Sequence, residues 1–404
     1  MISDLKQIWS ESAQGMQRSV IRELLKLTSQ PDIISFAGGL PSPHTFPKKA
    51  LKEVMCEIMD NEANFVLQYG TTEGDQLLRE RLVDHQYRPN EGMDITTENL
   101  IITTASQQAL DLIAKIFVNR GDKIIVGLPT YLGGLSAFRA YGAEMVGIEL
   151  DDNGMRADLL EDKLEEMKKA GEKPKFIYVI PDFQNPTGIT MDEERRKKIL
   201  ALAKKYDVLI LEDSPYREIR FEGEHQKTFF ALDNDGQVIT IGTFSKILCP
   251  GFRIGWVIAD TKITNKIVMA KQAADLCTTP FTQRIAARYL QKGLMSEQLK
   301  GTVALYKQKR NIMIESFEKY MPEGVSWVKP EGGLFLFMHL PEHMDSEKLF
   351  MKALEQKVAY VIGSAFYADN SIGKNTLRIN FSYVDKDKLE EGVKRLAKVF
   401  RDNM

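Results

Sequence analysis

The sequence has few of the residues that build disulfide frameworks or metal centres. Among its 404 residues are three cysteines, Cys56, Cys249 and Cys277, which lie far apart and form no C-x-x-C pair. Neither a disulfide framework nor a zinc site is expected, and a reducing compartment is the natural environment. The five histidines form no H-E-x-x-H motif and no other paired-ligand spacing. We therefore predict that the protein holds no metal.

Long apolar runs and an excess of one charge are also lacking. No stretch approaches the ~18 apolar residues that a membrane-spanning helix requires, and residues 1–22 are charged and amphipathic, unlike a signal peptide. Lysine and arginine total 54 while aspartate and glutamate total 56, whereas nucleic acids and membrane surfaces attract strongly basic chains. We expect a cytoplasmic protein that binds small molecules and has no nucleic-acid or membrane partner.

The chain does have an ordinary globular composition, 43% hydrophobic and 27% charged, and a length that predicts two or three domains. Between residues 47 and 320, apolar β-branched runs alternate with amphipathic helical patterns. The runs lie at Leu100–Thr103, Lys123–Val126, Phe176–Ile180, Val208–Leu211, Val238–Ile241 and Arg253–Ile258, and the helical patterns include Ser106–Phe117, Asp192–Lys205 and Lys262–Ala274. This alternation predicts an α/β fold in which helices cover a mostly parallel sheet.

Three parts are predicted along the chain. Residues 1–46 form an N-terminal arm that packs with the small domain and the active site, and this arm holds a helical pattern at Ser19–Leu27. Residues 47–320 form a large domain that ends in a helical connector, Met295–Tyr320. Residues 321–404 form a smaller α+β domain. Its predicted strands are Leu334–His339, Val358–Val361 and Leu377–Tyr383, and its predicted helices are Ser346–Gln356 and Lys386–Arg401.

A single lysine, Lys246, follows one of the apolar strands. Open α/β sheets bind ligands beyond the carboxyl ends of their strands, and burial there lowers the pKa of a lysine, as a Schiff-base lysine requires. Nearby Thr243, Ser245 and Arg253 suit a phosphate group, which Arg253 can bind through its two-pronged guanidinium. Taken alone, Lys246 also fits an ordinary surface lysine.

Polar residues follow two more strands. Asp213 is placed to pair with a protonated ring nitrogen, which would keep an aromatic cofactor electron-withdrawing, and Tyr216 is placed to donate to a ring hydroxyl. Asn185 begins the turn sequence Asn-Pro-Thr-Gly and would direct its amide at a ring oxygen. Two alternatives stay open: Asp213 as a helix cap or turn former, and the Asn185 segment as a plain loop.

Three further residues are candidates for binding. Ser106 lies at the start of a helical pattern, where backbone N–H groups and its hydroxyl form an anion site, although it is also simply a good N-cap. Tyr131 offers a face for stacking on a planar ring, or it is a core tyrosine. Arg378 lies in an apolar strand, and a buried arginine needs an anionic partner. That partner is either a substrate carboxylate or a structural carboxylate.

The order of these motifs resembles the fold-type I pyridoxal-phosphate enzymes, specifically the class I and II aminotransferases. The matching motifs are Asn-Pro-Thr-Gly at 185–188, Asp-x-x-Tyr at 213–216, Ser-Lys at 245–246, Pro-Gly-x-Arg-x-Gly at 250–255 and the C-terminal Arg378. The segments 21–27, 36–41, 67–70 and 105–111 are most similar to the 2-aminoadipate and kynurenine aminotransferases. The resemblance implies an aspartate-aminotransferase-like fold.

The resemblance also implies a role for each candidate. Lys246 would carry pyridoxal phosphate as a Schiff base and shuttle the proton, Asp213 would pair with the pyridine nitrogen, and Tyr131 would stack on the ring; these three are the catalytic residues. Ser106, Gln107, Thr243, Ser245 and Arg253 would hold the phosphate, Asn185 and Tyr216 the ring oxygen, and Tyr69 would reach the phosphate from a neighbouring subunit. Substrate would contact Arg378 through its α-carboxylate, together with Gly39, Tyr69, Asn185 and Arg22. Tyr69 thus implies a homodimer with shared sites.

The resemblance implies transfer of an amino group from an L-amino acid to a 2-oxo acid such as 2-oxoglutarate, by a ping-pong mechanism. Arg22 suggests glutamate and 2-aminoadipate as donors, with tolerance of aromatic or large aliphatic amino acids. Another fold-type I enzyme, of the carbon–sulfur lyase or aminocyclopropane-forming type, shares the same cofactor contacts and stays an alternative. A transcription regulator with an aminotransferase-like domain is disfavoured, because the segment before the Gly38-Gly39 turn is short and not basic.

Overall fold

A computed structural model describes residues 8–15, 32–88, 92–369 and 371–404. The strands are β1 (Ile34–Ser35), β2 (Leu100–Thr103), β3 (Lys123–Leu128), β4 (Glu144–Asp151), β5 (Gly154–Met155), β6 (Phe176–Val179), β7 (Leu209–Asp213), β8 (Val238–Thr243), β9 (Gly255–Ile258), β10 (Ser326–Trp327), β11 (Phe335–His339), β12 (Val358–Ala359), β13 (Val361–Ile362) and β14 (Thr376–Asn380). The helices are α1 (Glu11–Gly15), α2 (Lys48–Val66), α3 (Gln76–Leu82), α4 (Ala105–Phe117), α5 (Leu132–Ala140), α6 (Ala157–Lys169), α7 (Glu193–Tyr206), α8 (Phe229–Leu232), α9 (Thr261–Gln272), α10 (Pro280–Gln291), α11 (Leu294–Tyr320), α12 (Ser346–Glu355) and α13 (Lys386–Arg401). Short 3₁₀ turns lie at Pro43–Thr45, Thr97–Asn99, Pro250–Phe252 and Gly363–Phe366, and a π-helical turn at Val83–Tyr87.

An eight-stranded sheet forms the centre of the molecule, in the order β2-β9-β8-β7-β6-β3-β4-β5. Strands β4, β3, β6, β7 and β8 are parallel to one another, whereas β9 runs antiparallel to both of its neighbours. Every residue of β2, β6, β8 and β9 is buried, as expected for strands covered on both faces. The predicted α/β fold with a mostly parallel sheet is confirmed.

Local capping signals explain where the helices around this sheet begin and end. Helix α7 begins after Asp192, whose carboxylate accepts a hydrogen bond from the backbone N–H of Arg195 at 2.7 Å. It ends at Asp207, which has a φ of 54° and so turns the chain out of the helix in the left-handed conformation. The chain then enters β7, and the strand brings Asp213 to the site edge of the sheet.

Two large-sheet strands are absent from the runs identified in the sequence: β5, which has only two residues, and β4. Seven of its eight residues are at least partly exposed, and it contains Gly147 and acidic residues at both ends. Strand β4 lies next to the short edge strand β5, so it is less fully covered than the central strands. It therefore lacks the continuous apolar run by which the other strands were recognised.

A second sheet, in the order β10-β11-β14-β13, is antiparallel and lies in the C-terminal part of the chain. The predicted strand Val358–Val361 is divided into two. Strand β12 pairs in parallel with β1 of the arm, and β13 pairs with β14. Between them Tyr360 is buried and donates from its hydroxyl to the carbonyl of Ser346 at 2.6 Å. The arm thus adds a strand to the C-terminal part.

The start of the arm makes a separate contact with the large sheet's helices. Ser12 of α1 donates to the carbonyl of Ala140 at the end of α5, and Glu11 pairs with Arg120. The predicted helix at Ser19–Leu27 lies outside the described residues, and the boundaries of the three predicted parts stay predictions. Within the described ranges, no helix combines the length and the apolar character needed to cross a bilayer.

Candidate active site

Three strand ends meet at one edge of the large sheet. Thr103 at the end of β2 and Thr243 at the end of β8 both lie opposite Gly255, the first residue of β9. Because β9 is antiparallel to both neighbours, two strands end and one begins at the same level. The segments that continue from these ends carry Ser106, Lys246 and Arg253. Residues predicted as one site are therefore adjacent in the fold.

The segment after β8 is ordered by its own hydroxyl groups. Thr243 Oγ1 donates to the carbonyl of Ile254 at 2.9 Å, lies 2.9 Å from Ser245 Oγ, and accepts from the backbone N–H of Ser245 at 3.1 Å. Arg253 has a φ of 52°, a left-handed conformation that caps the 3₁₀ turn before β9. Its side chain is exposed and also donates to the carbonyl of Pro250. Two hydroxyls and one guanidinium thus surround the turn that holds Lys246.

Helix α4 presents its first turn at the same edge. It begins at Ala105, which has a φ of 61° although that region favours glycine. A Cβ on Gly255 would lie 2.6 Å from the backbone between Ala105 and Ser106, so β9 packs directly beneath this turn. The N-cap position belongs to Thr104, not to Ser106 as the simpler alternative supposed. The first N–H groups of a helix lack intrahelical acceptors and attract anions.

Lys246 lies between this edge and the arm. Its Nζ donates to the carbonyl oxygen of Gly39 at 2.8 Å. Burial lowers the pKa of Lys246 to about 8, and the positive charges of Arg378 and Arg253 act in the same direction. The lowered pKa increases the share of Lys246 that is an uncharged amine near neutral pH, and this is the form that acts as a nucleophile and base.

Asp213, the last residue of β7, is buried beside the site. Its Oδ2 accepts a hydrogen bond from Tyr178 Oη at 2.8 Å, while its Oδ1 has no hydrogen-bond partner among the described residues. Burial raises the pKa of Asp213 to about 6, and the bond from Tyr178 opposes that shift. Asp213 caps no helix. A buried carboxylate oxygen without a donor is costly to the protein unless a ligand supplies the donor.

Asn185 links two other candidates. Its Nδ2 donates to Tyr216 Oη at 3.4 Å, and its Oδ1 accepts from Arg378 Nη1 at 2.9 Å. The turn that holds Asn185 is itself braced by Gln184, whose side-chain amide donates to the carbonyl of Pro129 at 2.7 Å and whose side-chain oxygen accepts from Thr187. The Asn-Pro-Thr-Gly segment is therefore a fixed loop in contact with Arg378.

Arg378, in β14, is the most unusual charge in the site. Its side chain is buried between the rings of Phe335 and Phe366, with the guanidinium carbon 4.1 and 5.0 Å from their centroids. Its Nη2 donates to the carbonyl of Ala37 at 3.0 Å, and its Nε has no hydrogen-bond partner among the residues that the structure describes. Burial lowers its pKa to about 10. Within the described part of the chain, no carboxylate forms an ion pair with it.

Two more candidates, Tyr131 and Gln107, lie next to each other. Tyr131 precedes α5, and a Cβ on Gly133 would lie 2.4 Å from its ring, so only glycine leaves room for this tyrosine. Gln107 donates from Nε2 to the carbonyl of Gly133 at 2.9 Å, and its Oε1 lies 3.4 Å from Tyr131 Oη. The first turn of α4 is thereby tied to the loop that carries the aromatic ring.

One of the described residues predicted for the site is not brought into this cluster. Tyr69 is 79% exposed, and its backbone N–H donates to the side chain of Gln68. Arg22 lies outside the described residues. Conversely, Tyr178, Phe335 and Phe366 contact the cluster but were not among the sequence candidates. A hydroxyl inside the apolar run Phe176–Val179 was a usable signal, since a buried tyrosine needs a hydrogen-bond partner.

The cluster combines a nucleophilic amine, a buried carboxylate with one unpaired oxygen, and two arginines. Lys246, Arg378 and Arg253 outnumber Asp213 as charges, so the site favours anions. Arg378 and the edge near Ser106 and Arg253 lie in different parts of the fold. The arrangement therefore suits one ligand, or a pair of ligands, that carries one anionic group at Arg378 and another at the edge near Ser106 and Arg253. A ring or an amine would then react between these two places.

Comparison with known proteins identifies related chains. The profile of the family described as aminotransferase class I and II matches residues 33–396. Aromatic-amino-acid aminotransferase 1 of Thermococcus litoralis is 48% identical over 401 residues, which cover 99% of this chain and 96% of that protein. The 2-aminoadipate transaminase of Thermus thermophilus is 37% identical over 400 residues, 97% of each chain. Among solved structures, Pyrococcus horikoshii kynurenine aminotransferase in complex with PMP has a TM-score of 0.96 at 48% identity, with 100% of this chain and 99% of that chain covered.

Proposed function

Because this chain belongs to the class I and II aminotransferases, we propose that it takes the amino group of glutamate, 2-aminoadipate or an aromatic or large aliphatic L-amino acid. As a member of that family it is a pyridoxal-phosphate-dependent aminotransferase that acts on amino acids and 2-oxo acids. The proposed acceptor is 2-oxoglutarate, with ping-pong kinetics. The observation that carries the proposal is Arg378, a buried arginine without a described carboxylate partner, close to the amine of Lys246.

The residues present fit pyridoxal phosphate. The unpaired Oδ1 of Asp213 would accept from its ring nitrogen, and Asn185 and Tyr216 would contact its ring oxygen. Ser106, Gln107, Thr243, Ser245 and Arg253 would hold its phosphate, and Tyr131 would stack on its ring. When bound, this group supplies a protonated ring that accepts the electrons released as the substrate loses its α-proton. Lys246 would carry the cofactor.

The chain's own residues would do three things for the reaction. Lys246 Nζ would take the α-proton and return it, because its lowered pKa leaves it a base near neutral pH. Arg378 would hold the α-carboxylate through its guanidinium, next to the Gly39 turn. Asp213 would stay negatively charged once a cationic partner offsets the burial that raises its pKa.

Relatives favour amino transfer over the other chemistries of this fold. Those named above are aminotransferases for aromatic amino acids, 2-aminoadipate and kynurenine. A carbon–sulfur lyase or aminocyclopropane-forming enzyme would share the cofactor contacts but release ammonia, a thiol or a cyclic product. A panel of amino donors with 2-oxoglutarate tests the proposal directly. Net glutamate formation from aromatic donors and from 2-aminoadipate is expected, and release of ammonia or thiol without glutamate would contradict it.

Arg22 is the proposed reader of acidic side chains, by resemblance to the 2-aminoadipate enzymes. A charge-assisted hydrogen bond to a distal carboxylate contributes about 1.5–3 kcal/mol, so Arg22→Ala should lower kcat/KM for glutamate and 2-aminoadipate roughly ten- to a hundredfold. Values of kcat/KM for aromatic donors should change little. Steady-state kinetics with one acidic and one aromatic donor measure the difference.

Lys26→Ala is the matched control, since it removes a second cation from the same arm segment. It should affect acidic and aromatic donors alike, and only slightly. Equal losses for both donor classes in Arg22→Ala would mean that Arg22 supports the arm and recognises no substrate side chain.

We propose a cytoplasmic homodimer in which each subunit completes its partner's site. Several large apolar side chains are exposed along α2 and the segment that follows it: Met55, Met59, Phe65, Leu67 and Tyr69. Exposed large apolar side chains grouped in one segment favour an interaction site there. Tyr69 lies at its end, fully outside the cluster of its own chain. A second copy seated on this surface would cover the apolar residues and receive Tyr69.

Mixing two inactive variants tests this arrangement. In a heterodimer of Tyr69→Phe and Lys246→Ala subunits, one site would have both residues intact and the other would lack both. Random exchange makes about half of the dimers mixed, each with one intact site, so activity should recover to about a quarter of wild type. Subunit exchange is verified by native mass spectrometry of isotope-labelled chains. Verified exchange without recovery would show that Tyr69 does not act across the interface.

A further inference from the structure

Tyr178 donates a hydrogen bond to the buried carboxylate of Asp213. Its hydroxyl lies 2.8 Å from Asp213 Oδ2, and within the described residues Asp213 Oδ1 has no partner at all. Burial and the neighbouring Asp213 charge both raise the pKa of Tyr178, so the phenol keeps its proton and donates it. A tyrosine hydroxyl has one hydrogen to give. The two oxygens of Asp213 therefore differ, because Oδ2 accepts the hydrogen bond of this tyrosine and Oδ1 does not.

The sheet and its covering helix hold Tyr178 in this position. Tyr178 lies on β6 opposite Leu211 of β7, two residues before Asp213. Its ring is fully buried, edge-on to Phe138 at 5.3 Å, and a Cβ on Gly134 would approach the ring to 3.0 Å. Such close packing restricts movement of the ring. The hydroxyl position is thus set by the backbone, not by a flexible side chain.

We propose that Tyr178 is a positioning residue, which binds one oxygen of Asp213 and thereby presents the other to the ring nitrogen of pyridoxal phosphate. The inference rests on the proposed role of Asp213. Without the hydroxyl, the carboxylate is free to rotate, and nothing within the described residues replaces the lost donor. The bond also favours the ionised form of Asp213, which is the form that attracts a protonated ring nitrogen.

Tyr178→Phe in the holoenzyme is the direct test, because it removes only the hydroxyl from a closely packed ring. Burial then acts on Asp213 unopposed, so the pKa of Asp213 rises further above its ordinary value. The ionised form is present above that pKa and is lost as pH falls through it, so acid should release the cofactor at a higher pH. We expect the release midpoint to rise by about one pH unit and the cofactor dissociation constant at pH 7 to rise roughly tenfold.

Two readouts separate positioning from simple destabilisation. The visible absorbance of the bound cofactor is recorded against pH. The midpoint pH of cofactor release should be higher in Tyr178→Phe than in the wild type. In steady-state kinetics kcat should fall roughly ten- to a hundredfold while KM for the donor changes little, since substrate contacts are elsewhere. Tyr360→Phe is the matched control: Tyr360 is equally buried and its hydroxyl also makes one hydrogen bond, to Ser346 in the C-terminal part. It should leave the absorbance titration and kcat unchanged.

Asp213→Asn and the double variant decide whether the two residues act together. Asp213→Asn should release cofactor more strongly than Tyr178→Phe, and adding Tyr178→Phe to it should cause no further loss. Additive losses in the double variant, or a wild-type titration for Tyr178→Phe, would overturn the role of Tyr178. If Asp213→Asn itself retained wild-type cofactor affinity, the proposed role of Asp213 would fail, which is a separate result.

Discussion

Lys246→Ala is expected to abolish turnover, with kcat reduced at least about 10⁴-fold, while pyridoxal phosphate still binds non-covalently. The reason is that Lys246 is the one amine of the cluster and its pKa is lowered to about 8, so that no other described group there can both carry the cofactor and move the α-proton. Phosphate and ring contacts are made by other residues and should survive. Steady-state kinetics and cofactor absorbance measure the two properties separately.

Borohydride reduction of the wild-type holoenzyme, followed by peptide mapping, provides the complementary measurement. The cofactor label should be found on Lys246. Lys309→Met supplies a matched control, because Lys309 is also buried, its pKa is also lowered to about 8, and it also donates to one carbonyl, that of Ser382 at 2.7 Å. It should keep wild-type labelling and turnover. A label on any other lysine would falsify the assignment of Lys246.

Arg378→Met is expected to lower kcat/KM roughly 10²–10³-fold for every donor, acidic and aromatic alike. Every α-amino acid presents the same α-carboxylate, and removing one partner of a buried, hydrogen-bonded charge pair costs about 2–5 kcal/mol. Arg378→Lys retains the charge but loses the planar fork that reaches both Asn185 and Ala37, so it should recover little of the loss. Kinetics with one donor of each class decide the outcome.

Arg378→Met should lower the free energy of unfolding much less than its effect on kcat/KM would suggest. Arg378 is desolvated without a described carboxylate partner, and replacing such a charge by an apolar side chain of similar length is often neutral or stabilising. We therefore expect the free energy of unfolding of Arg378→Met to change by no more than about 1–2 kcal/mol, measured by urea denaturation. A large loss of stability with intact catalysis per folded molecule would mean that Arg378 serves the fold and not the substrate.

Variants of Arg378 and of Arg22 should differ in which amino donors lose activity. Loss of Arg378 should be uniform across donors, because the α-carboxylate is common to them all. Loss of Arg22 should be selective, because only glutamate and 2-aminoadipate carry a second carboxylate. Comparing both variants on the same donors therefore separates recognition of the amino-acid backbone from recognition of its side chain.

Local sequence patterns predicted most strands of the large sheet and the order of the motifs. Continuous apolar runs predicted β2, β6 and β8 because strands that are buried on both faces are apolar throughout, and α13 was predicted over its full length, Lys386–Arg401. Lys246 and Asp213 were singled out because each follows such a run, and polar residues there lie at the ligand-binding edge of the sheet. The family followed from motif order along nearly the whole chain.

Contacts between distant residues were decided only by the tertiary structure. Asn185 and Arg378 are 193 positions apart, and no local period or spacing relates them. Tyr178 reads as one more apolar strand residue until β6 is placed beside β7 and its hydroxyl meets Asp213. Phe335 and Phe366 enclose Arg378 because two segments of the C-terminal part pack on either side of it.

The physical reason for this division is the range of the forces involved. Strand and helix formation depend on neighbours within a few residues, and burial imposes a period on the sequence that can be read directly. A hydrogen bond or an unpaired charge depends on which side chains the chain topology brings within about 3 Å, and many sequences satisfy the same local pattern. The sequence by itself thus determined most strands of the sheet, the family and the candidate residues of the site. The partners that orient those residues, and the absence of a described counter-charge for Arg378, were decided by packing.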